Sequence, residues 1–364
     1  MSSLNWESAW ADSLETQLRA YRSTIDVANR RTAGVAINPP QRVQEQVLEG
    51  QARRPFDAHA VSAGFEARNE SLDDPGLPGG RSVLPHRSLF IQDEWSASKP
   101  LTMTFGVRYD KHDRYGSEWS PRAYAVWRVA EAWTLKGGVS HGFKVPNLKQ
   151  VVPGARPEGP NTFIGNPDLK PERSDAIEVG VGYAAGASQV QLMLFDQRVD
   201  NLVEVRLVTP GPTPGIGTYT YENLAKARLR GLEASAVWPL GAGFTGALSY
   251  TYLDARSGNG LRLERRPRHS ATVRLDWQHG PWRVGAYAEH AGDQLLPAAT
   301  ANLPAQPVPD LTMLGANVSV GLPAGLEASL GVRNLSNLRL VDKSSLFTQV
   351  EAPRTWRITL RGRW

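Results

Sequence analysis

The sequence predicts an all-β protein, a transmembrane antiparallel up-and-down β-barrel, on two observations. The first is a period of two residues, because apolar and polar side chains alternate along about seventeen segments of roughly the length that barrel strands require. The second is that short and long connections between these segments alternate along the chain. Tight turns therefore lie at one end of the sheet and long loops at the other, as expected when the two ends lie on opposite sides of a membrane.

The predicted strands follow one another from residues 4–10 to residues 355–364. In residues 101–109, large apolar side chains occupy the odd positions, whereas threonine, glycine and arginine occupy the even ones. The same alternation recurs in residues 245–252, 271–277, 283–289, 326–332 and 356–364. It fits a wall between lipid and a polar lumen. The side chains that we expect to face lipid include Met103, Phe105, Val107, Leu275, Trp277, Ile358 and Leu360.

Two kinds of connection join these strands. Tight turns are predicted at residues 11–15, 130–132, 184–188, 239–243, 279–281 and 322–325, and long loops at residues 144–174, 199–222, 254–268, 291–309 and 339–353. Tryptophans beside the tight turns and tyrosines toward the long loops predict aromatic girdles at both membrane interfaces, formed by Trp133, Trp238, Trp282, Tyr109, Tyr221 and Tyr252. A soluble sandwich or propeller also has alternating strands. The repetition of tryptophan at one rim favours the membrane barrel.

Composition excludes several other classes of protein. The chain has no cysteine, so it has neither a disulfide framework nor a cysteine nucleophile, and its net charge of +5 gives no argument for nucleic acid. No apolar run is long enough for a membrane-spanning helix, and no signal peptide is recognised after Met1. The seven histidines show no pair at metal-ligand spacing. We therefore expect no metal site and no enzymatic activity.

The most specific segment is a stiff loop that leads directly into an alternating strand. This segment, here called the signature, consists of Gly165, Asn166, Pro167, Asp168, Leu169, Lys170, Pro171 and Glu172. Together with residues 105–110, 142–148, 221–233 and 332–335, it closely resembles TonB-dependent outer-membrane receptors, in particular the catecholate siderophore branch that includes the ferric enterobactin and colicin I receptors. The resemblance covers nearly the whole chain, and it implies an architectural role for the signature.

The resemblance also implies a domain organisation. Members of the family have a plug domain followed by a barrel, and residues 1–364 would supply about the last 17 of the barrel's roughly 22 strands. No plug segment and no TonB box is recognised in the sequence, which therefore looks like the C-terminal part of a receptor. We expect no concentrative uptake by this chain alone.

Function and partners follow from the same resemblance. It implies an outer-membrane receptor and transporter for ferric siderophores, of the catecholate type, in a Gram-negative bacterium. Iron would enter only within the siderophore, and no other cofactor is implied. The expected partners are the ferric siderophore, outer-membrane lipid and lipopolysaccharide, TonB and the outer-membrane assembly machinery, without nucleic acid. The alternatives are a passive outer-membrane pore, a receptor for another substrate such as vitamin B12 or haem, and a soluble β-rich binding protein.

Basic residues in the long loops are the candidate ligand contacts. One group precedes the signature, and a second, of four arginines, lies within residues 262–268. Guanidinium groups and aromatic faces together suit an anionic, planar catecholate chelate. The predicted ligand-binding residues are Lys144, Lys149, Arg156, Arg265 and Arg266. For the arginine group, the phosphates of lipopolysaccharide are an equal alternative.

The last strand has a pattern of its own. Trp356, Ile358, Leu360 and Trp364 share one face, and the sequence ends on an aromatic residue. The strand resembles the insertion signal that the outer-membrane assembly machinery reads. A chance edge strand is the alternative.

Overall fold

The computed structural model describes all residues except 11–12, 29–39, 78, 159, 212–215, 299–303, 348–350 and 363–364. Its strands are β1 (Ser2–Ala9), β2 (Glu15–Val27), β3 (Gln41–Phe56), β4 (His59–Asp73), β5 (Arg81–Ser98), β6 (Leu101–His112), β7 (Gly116–Ala130), β8 (Trp133–Lys144), β9 (Ala155–Glu158), β10 (Asn161–Ile164), β11 (Glu172–Ala185), β12 (Ser188–Pro210), β13 (Gly217–Gly241), β14 (Phe244–Ser257), β15 (His269–His279), β16 (Trp282–Gly292), β17 (Gln294–Leu296), β18 (Gln306–Val308), β19 (Leu311–Gly321), β20 (Leu326–Arg333) and β21 (Thr355–Gly362). The helices of these described ranges are the one-turn segments α1 (Leu148–Val151) and α2 (Leu340–Lys343). Within the same ranges, no helix has the length and apolar character needed to cross a membrane.

Seventeen strands of the described chain, β1 to β8, β11 to β16 and β19 to β21, form one antiparallel wall. Each strand pairs with the next, and β8 pairs with β11 and β16 with β19 across the loops between them. The strand number and the up-and-down order confirm the predicted fold class. The short strands β9 and β10 form a hairpin within a loop, and β17 pairs with β18 outside the wall.

The register of the wall separates an apolar outer face from a polar inner face. Leu275 lies opposite Gly246 and Ala286, whereas its neighbour Arg274 lies opposite Ala247 and Tyr287. The residues expected to face lipid lie on the outer face, and the exposed fractions of four of them are 42% for Phe105, 43% for Leu275, 83% for Ile358 and 67% for Leu360. These large apolar side chains have no protein core to cover them, so lipid is their natural surrounding.

A polar pair, His59 and Asp93, lies on the outer face near the tight turns. Asp93 lies opposite Phe105, and its carboxylate is 2.7 Å from His59 Nδ1, beside the turn that joins β3 to β4. The His59 ring stacks on Phe56 and on Trp95, with ring centroids 5.8 and 6.0 Å apart. The pair therefore lies among aromatic rings at the rim of the wall formed by the tight turns.

Aromatic side chains mark both ends of the wall. At the tight-turn rim, the rings of Trp133 and Tyr183 are 4.9 Å apart. Toward the long loops, the rings of Tyr109 and Trp119 are 4.7 Å apart. This distribution fits two membrane interfaces, where an aromatic ring can contact both lipid and water.

The girdle prediction for Tyr221 is wrong. Leu232 of the same strand lies opposite Leu194 on the outer face, and Tyr221 is an odd number of residues away, so it points inward. There it stacks on Phe163, with ring centroids 5.8 Å apart. The sequence placed Tyr221 in a loop, and strand parity was therefore not available to decide its face.

Short and long connections alternate as predicted, with two departures. Only residues 113–115 join β6 to β7, although this connection lies on the side of the long loops. The predicted loop at residues 199–222 is instead a tall hairpin, because β12 continues to Pro210 and β13 begins at Gly217. Val205 lies opposite Tyr221 there, so apolar alternation and backbone pairing continue beyond the expected rim.

The wall has two free edges in the part of the chain that the structure describes. Strand β1 pairs only with β2, strand β21 pairs only with β20, and no ladder joins β1 to β21. Among the described residues, the sheet is therefore not closed by backbone hydrogen bonds.

Candidate ligand site at the mouth of the barrel

A loop folds inward across the mouth of the barrel. Residues 145–171 join β8 to β11 and contain α1 and the β9–β10 hairpin. Leu148 and Val151 of α1 are 1% and 0% exposed, and they belong to one buried cluster with Leu72 of β4 and Leu84 of β5. The loop thus reaches past β6 and β7, and burial of these apolar side chains holds it against the inner face of the wall.

Local hydrogen bonds start α1 at the right place. The side chain of Asn147 accepts from the Gln150 N–H, and the side chain of Gln150 accepts from the Asn147 N–H, both at 3.0 Å. This reciprocal capping box satisfies two N–H groups that a helix start leaves free. The carboxylate of Glu70 on β4 accepts from the Leu148 N–H, which adds a polar contact between the loop and the wall.

The second half of the loop is tied to the β12–β13 hairpin by signature residues. Asn166 Nδ2 donates to the carbonyl of Tyr221 at 2.8 Å. The N–H of Lys170 donates to Asn223 Oδ1 at 2.8 Å, and Asn223 Nδ2 donates back to the carbonyl of Lys170 at 3.0 Å. Leu169, which is 3% exposed, joins the buried apolar cluster. These hydrogen bonds hold the loop to the hairpin, and they occupy polar atoms that could otherwise bind a ligand.

The remaining signature residues shape the turn itself. A Cβ atom on Gly165 would lie 1.9 Å from the carbonyl oxygen of Val152, so the backbones can approach this closely only at glycine. The Asp168 N–H donates to Asn166 Oδ1 at 2.9 Å. The carbonyls of Pro167 and Pro171 accept from the side chains of Arg114 and Asn201.

Glu172, the last signature residue, connects two elements at the base of the loop. Its Oε1 accepts from the Val203 N–H at 2.8 Å, and its Oε2 is 3.1 Å from Lys144 Nζ. Lys144 remains largely exposed, whereas Lys149 is half-buried and 3.7 Å from Glu158. Both lysines thus lie near the surface of the mouth with a carboxylate beside them.

Arg156 was predicted to bind the ligand, which requires an exposed side chain. Its side chain is almost fully buried, at 3% exposure. It donates to the carbonyl of Val152 at 3.0 Å and to the carbonyl of Lys149. The guanidinium therefore holds the turn after α1 together. Contact with an external ligand would require the loop to open.

Most of the second arginine group is also committed to neighbouring loops. Arg262 and Arg268 donate to the two carboxylate oxygens of Asp293 at 2.7 and 2.8 Å. Arg266 donates to Glu204 Oε1 at 2.5 Å. Glu264 lies in the same loop. Burial and the negative charge of Glu204 raise the pKa of its carboxyl group, although the positive charges of Arg265 and Arg266 lower it. These ion pairs join the β14–β15 loop to its neighbours.

Arg265 is the exception in this group. Its guanidinium is exposed and forms no hydrogen bond or ion pair with the residues that the structure describes. Its backbone is left-handed, with φ of 59°, and its N–H donates to the carbonyl of Leu295 at 2.7 Å. A left-handed backbone costs a non-glycine residue about 1–2 kcal/mol. The hydrogen bond to Leu295 helps to maintain this conformation.

Arg265 lies beside a cleft of about 470 Å³ between the inward loop and the loops after β14 and β16. Its lining includes Phe163, Val205, Tyr219, Leu296 and Phe347. Phe163 stacks on Tyr219, with ring centroids 5.4 Å apart and planes at 22°. One free guanidinium beside stacked aromatic rings can bind a planar anion by charge neutralisation and ring contact together.

The cleft contains residues that the sequence interpretation missed. Phe163, Tyr219 and Phe347 lie in predicted long loops, and an aromatic residue in a loop near an arginine was the available signal. Of the predicted ligand residues, only Arg265 lines the cleft; Lys144, Lys149, Arg156 and Arg266 do not. A second cavity of about 310 Å³, beside Glu289 and Met313, has no arginine in its lining and His290 as its one aromatic ring. No group of three or more metal-binding side chains occurs in the described ranges.

Comparisons with known proteins agree with this architecture. The family model described as "TonB dependent receptor-like, beta-barrel" matches residues 1–335. The iron-regulated outer membrane virulence protein of Vibrio cholerae is 30% identical over 311 residues, which cover 80% of this chain and 48% of that protein. The ferric enterobactin receptor PirA of Pseudomonas aeruginosa is 28% identical over 300 residues, covering 75% of this chain and 40% of that protein.

A solved structure extends the agreement to the fold. A mutant of the ferric enterobactin receptor PfeA from Pseudomonas aeruginosa superimposes with a TM-score of 0.78 at 23% identity, covering 98% of this chain and 60% of that one. The TM-score shows that the two chains share a barrel fold. The family match and the outer-membrane relative show that this is a barrel of the Gram-negative outer membrane. The chain belongs to the TonB-dependent receptor β-barrel family. It spans less than half the length of the two relatives named above.

Proposed function

We propose that this chain forms the barrel part of a receptor that takes up ferric siderophores of the catecholate type and is energised by TonB. The observation that carries the proposal is the cleft in which the free guanidinium of Arg265 lies beside Phe163 and Tyr219. The relatives support the substrate class, because PirA and PfeA are named as ferric enterobactin receptors. Iron is cargo within the chelate in this proposal, and no resident cofactor is required.

The geometry suggests how capture would occur. A ferric catecholate is planar at each ring and anionic at the metal centre, so the ring would stack in the cleft while Arg265 neutralises charge. Lys144 and Lys149 at the surface of the mouth would attract the anion before it reaches the cleft. Passage into the lumen then requires the inward loop to move, since Leu148 and Val151 are buried against the wall.

A chimera tests this proposal. Residues 1–364 would replace the matching part of a ferric enterobactin receptor, in a strain that lacks its own catecholate receptors. We expect uptake of radiolabelled ferric enterobactin that requires TonB. The Arg265→Gln variant should weaken apparent affinity roughly tenfold, the equivalent of about 1.4 kcal/mol. Arg206→Gln is the matched control, because Arg206 is an exposed arginine paired with Glu222 on the tall hairpin.

Two results would contradict the proposal. A chimera that reaches the outer membrane and gives no TonB-dependent uptake would refute the substrate class. Equal effects of Arg265→Gln and Arg206→Gln would remove the cleft from the binding site.

The last strand supports a further partner. Trp356, Ile358 and Leu360 of β21 are 58%, 83% and 67% exposed on one face, as an insertion signal for the assembly machinery requires. Trp364 lies outside the described residues. We propose that this face is the recognised surface; Ile358→Asp should lower the amount of barrel recovered in outer membranes more than Thr359→Asp on the other face.

A further inference from the structure

The ligand cleft beside Arg265 has very little charge. Of the fourteen described residues that line it, eight are aliphatic, three are aromatic and two are amides, and Arg265 has the one charged side chain. Leu207, Leu311 and Phe347 are half-buried, so part of each side chain remains open to the cleft. A lining of this kind suits an apolar group that a single polar contact orients.

The sequence of the surrounding segments has the same character. Residues 207–221, 294–309 and 344–350 supply eight of these lining residues. None of the three segments contains an aspartate, a glutamate, a lysine or an arginine. The low charge of the cleft is therefore a property of whole segments and does not depend on the conformation of one side chain.

Arg265 supplies the positive charge that the cleft offers to a ligand. It forms no ion pair within the described chain, whereas its neighbour Arg266 is paired with Glu204 at 2.5 Å. At the surface of the mouth, Lys149 has Glu158 at 3.7 Å. A buried charge that lacks a partner costs free energy. A ligand with one net negative charge therefore matches this cleft, and a ligand with several does not.

Ferric catecholates differ in net charge. A ferric ion bound by three catecholates keeps three negative charges, because each catecholate contributes two and the ion carries three positive ones. Replacement of two catecholates by two hydroxamates, each with one negative charge, leaves a single negative charge on the chelate. One guanidinium neutralises the second kind of chelate and leaves the first with a large excess of charge.

A second cavity offers room for an uncharged arm of the ligand. This cavity of about 310 Å³ shares Leu311 and Leu340 with the cleft. Its described lining contains no arginine or lysine, and its one carboxylate is that of Glu289. An anionic iron centre would be repelled there, whereas an apolar arm would contact Met313 and the two shared leucines. Charge recognition and apolar contact are thus separated between the two cavities.

We infer that the cleft selects, within the proposed catecholate class, ferric chelates that have one net negative charge and an apolar arm, in preference to ferric enterobactin with its three catecholates. The inference rests on the proposed function, because it concerns the same site. Arg265 pairs with the iron centre while the aliphatic lining removes the arm from water, and the gain from that burial grows with the apolar area. Ferric enterobactin still binds, but more weakly.

Binding to the purified full chain in detergent, measured by thermophoresis, tests the inference. The first probe is a ferric chelate of one catecholate and two hydroxamates with a butanoyl arm. The second probe is the same chelate with an acetyl arm, and the third is ferric enterobactin. We expect the first probe to bind at least about tenfold more tightly than the third, and about fivefold more tightly than the second.

Two neighbouring variants separate the charge of the lining from the general charge of the mouth. Leu207→Lys adds a second positive charge to the lining and should shift the ratio of affinities at least about fivefold toward ferric enterobactin. Val208→Lys is the matched control, because Val208 is the next residue of β12, is 43% exposed and does not line the cleft. It should change that ratio less than about twofold. If Leu207→Lys does not fold, Leu346→Lys in another loop takes its place.

The outcomes distinguish the inference from the proposed function. Equal or tighter binding of ferric enterobactin by the wild type would overturn the inference, as would equal binding of the two arms or equal shifts in the lining variant and its control. Uptake of ferric enterobactin by the chimera would leave the proposed function intact in each of these cases. If none of the three probes binds, the cleft is not a siderophore site, and its role in the proposed function fails together with the inference.

Discussion

Arg156 and Arg265 lie at the same mouth of the barrel in different surroundings. Arg156 is 3% exposed and donates to carbonyls of its own loop, so its hydrogen-bonding capacity is used internally. Arg265 is exposed on a left-handed backbone beside a cleft with aromatic lining. Burial separates a residue that maintains the loop from one that is free to bind.

Gly165 gives a prediction at this scale. Gly165→Ala would place a Cβ 1.9 Å from the carbonyl oxygen of Val152, so the inward loop must shift. We expect a loss of about 1–3 kcal/mol in the free energy of unfolding, as for overpacked sites, and faster proteolysis of residues 145–171. Gly182→Ala is the control, because its nearest neighbours would lie 3.9 Å or more from the new Cβ. Equal effects at both glycines would contradict the close packing.

Leu275 gives a second prediction. Leu275→Arg puts a charge on the apolar outer face, and we expect it to cost roughly 2–4 kcal/mol in a bilayer. Thr272→Arg lies on the inner face of the same strand and should stay within about 0.5 kcal/mol. Urea unfolding of both variants in lipid vesicles measures the difference. Equal tolerance on the two faces would argue against a membrane wall.

At the scale of elements, loops hold one another through ion pairs of half-buried carboxylates. Asp293, after β16, is shared by Arg262 and Arg268 of the β14–β15 loop, and Glu204 of the tall hairpin binds Arg266. The mouth is therefore a set of coupled loops, and a change of charge in one of them affects the position of the others.

The half-buried carboxylate of Glu264 makes this coupling depend on pH. Burial raises its pKa above the ordinary value of 4.5, so the folded loop retains a proton that the unfolded chain has already released. In the pH range just above 4.5 the folded state binds more protons, and the free energy of unfolding must fall as pH rises.

The Glu264→Gln variant should reduce this fall, and the part that remains is expected from Glu70 on β4, because burial raises the pKa of that carboxyl group as well. Urea midpoints between pH 4 and pH 8 would be compared for the wild type, Glu264→Gln and the exposed control Glu222→Gln. A slope that is unchanged in Glu264→Gln would mean that another group causes the fall.

At the scale of the whole molecule, the wall runs from β1 to β21 with an unpaired side at each end. In an antiparallel edge strand, about half of the N–H groups point away from the only partner and lack a protein acceptor. The central strand β12 is paired on both sides. The two kinds of strand should therefore differ in stability within one continuous sheet.

Hydrogen exchange of the folded chain in detergent measures that difference. We expect alternate amides of Ser2–Ala9 and Thr355–Gly362 to exchange rapidly, while the amides of β12 below the rim stay protected. Protection of every amide in both edge strands would show that the two edges pair in solution, within one chain or between two.

The sequence alone was sufficient to predict the strands of the wall and their two faces. Period-two alternation identified about seventeen strands and their two faces, because lipid on one side and a polar lumen on the other select the side chains of each strand independently. The signature likewise identified the family, because its glycine is required by a close backbone contact and its asparagine by a hydrogen bond to one neighbouring hairpin.

Only the tertiary structure showed how the side chains at the mouth of the barrel are arranged. It buried Arg156, turned Tyr221 inward, extended the predicted loop at residues 199–222 into a hairpin, and brought Phe163 and Tyr219 beside Arg265. Each of these results depends on contacts between segments far apart in the chain. A loop has no repeating environment, so its residue types do not reveal which side chains are covered and which remain free.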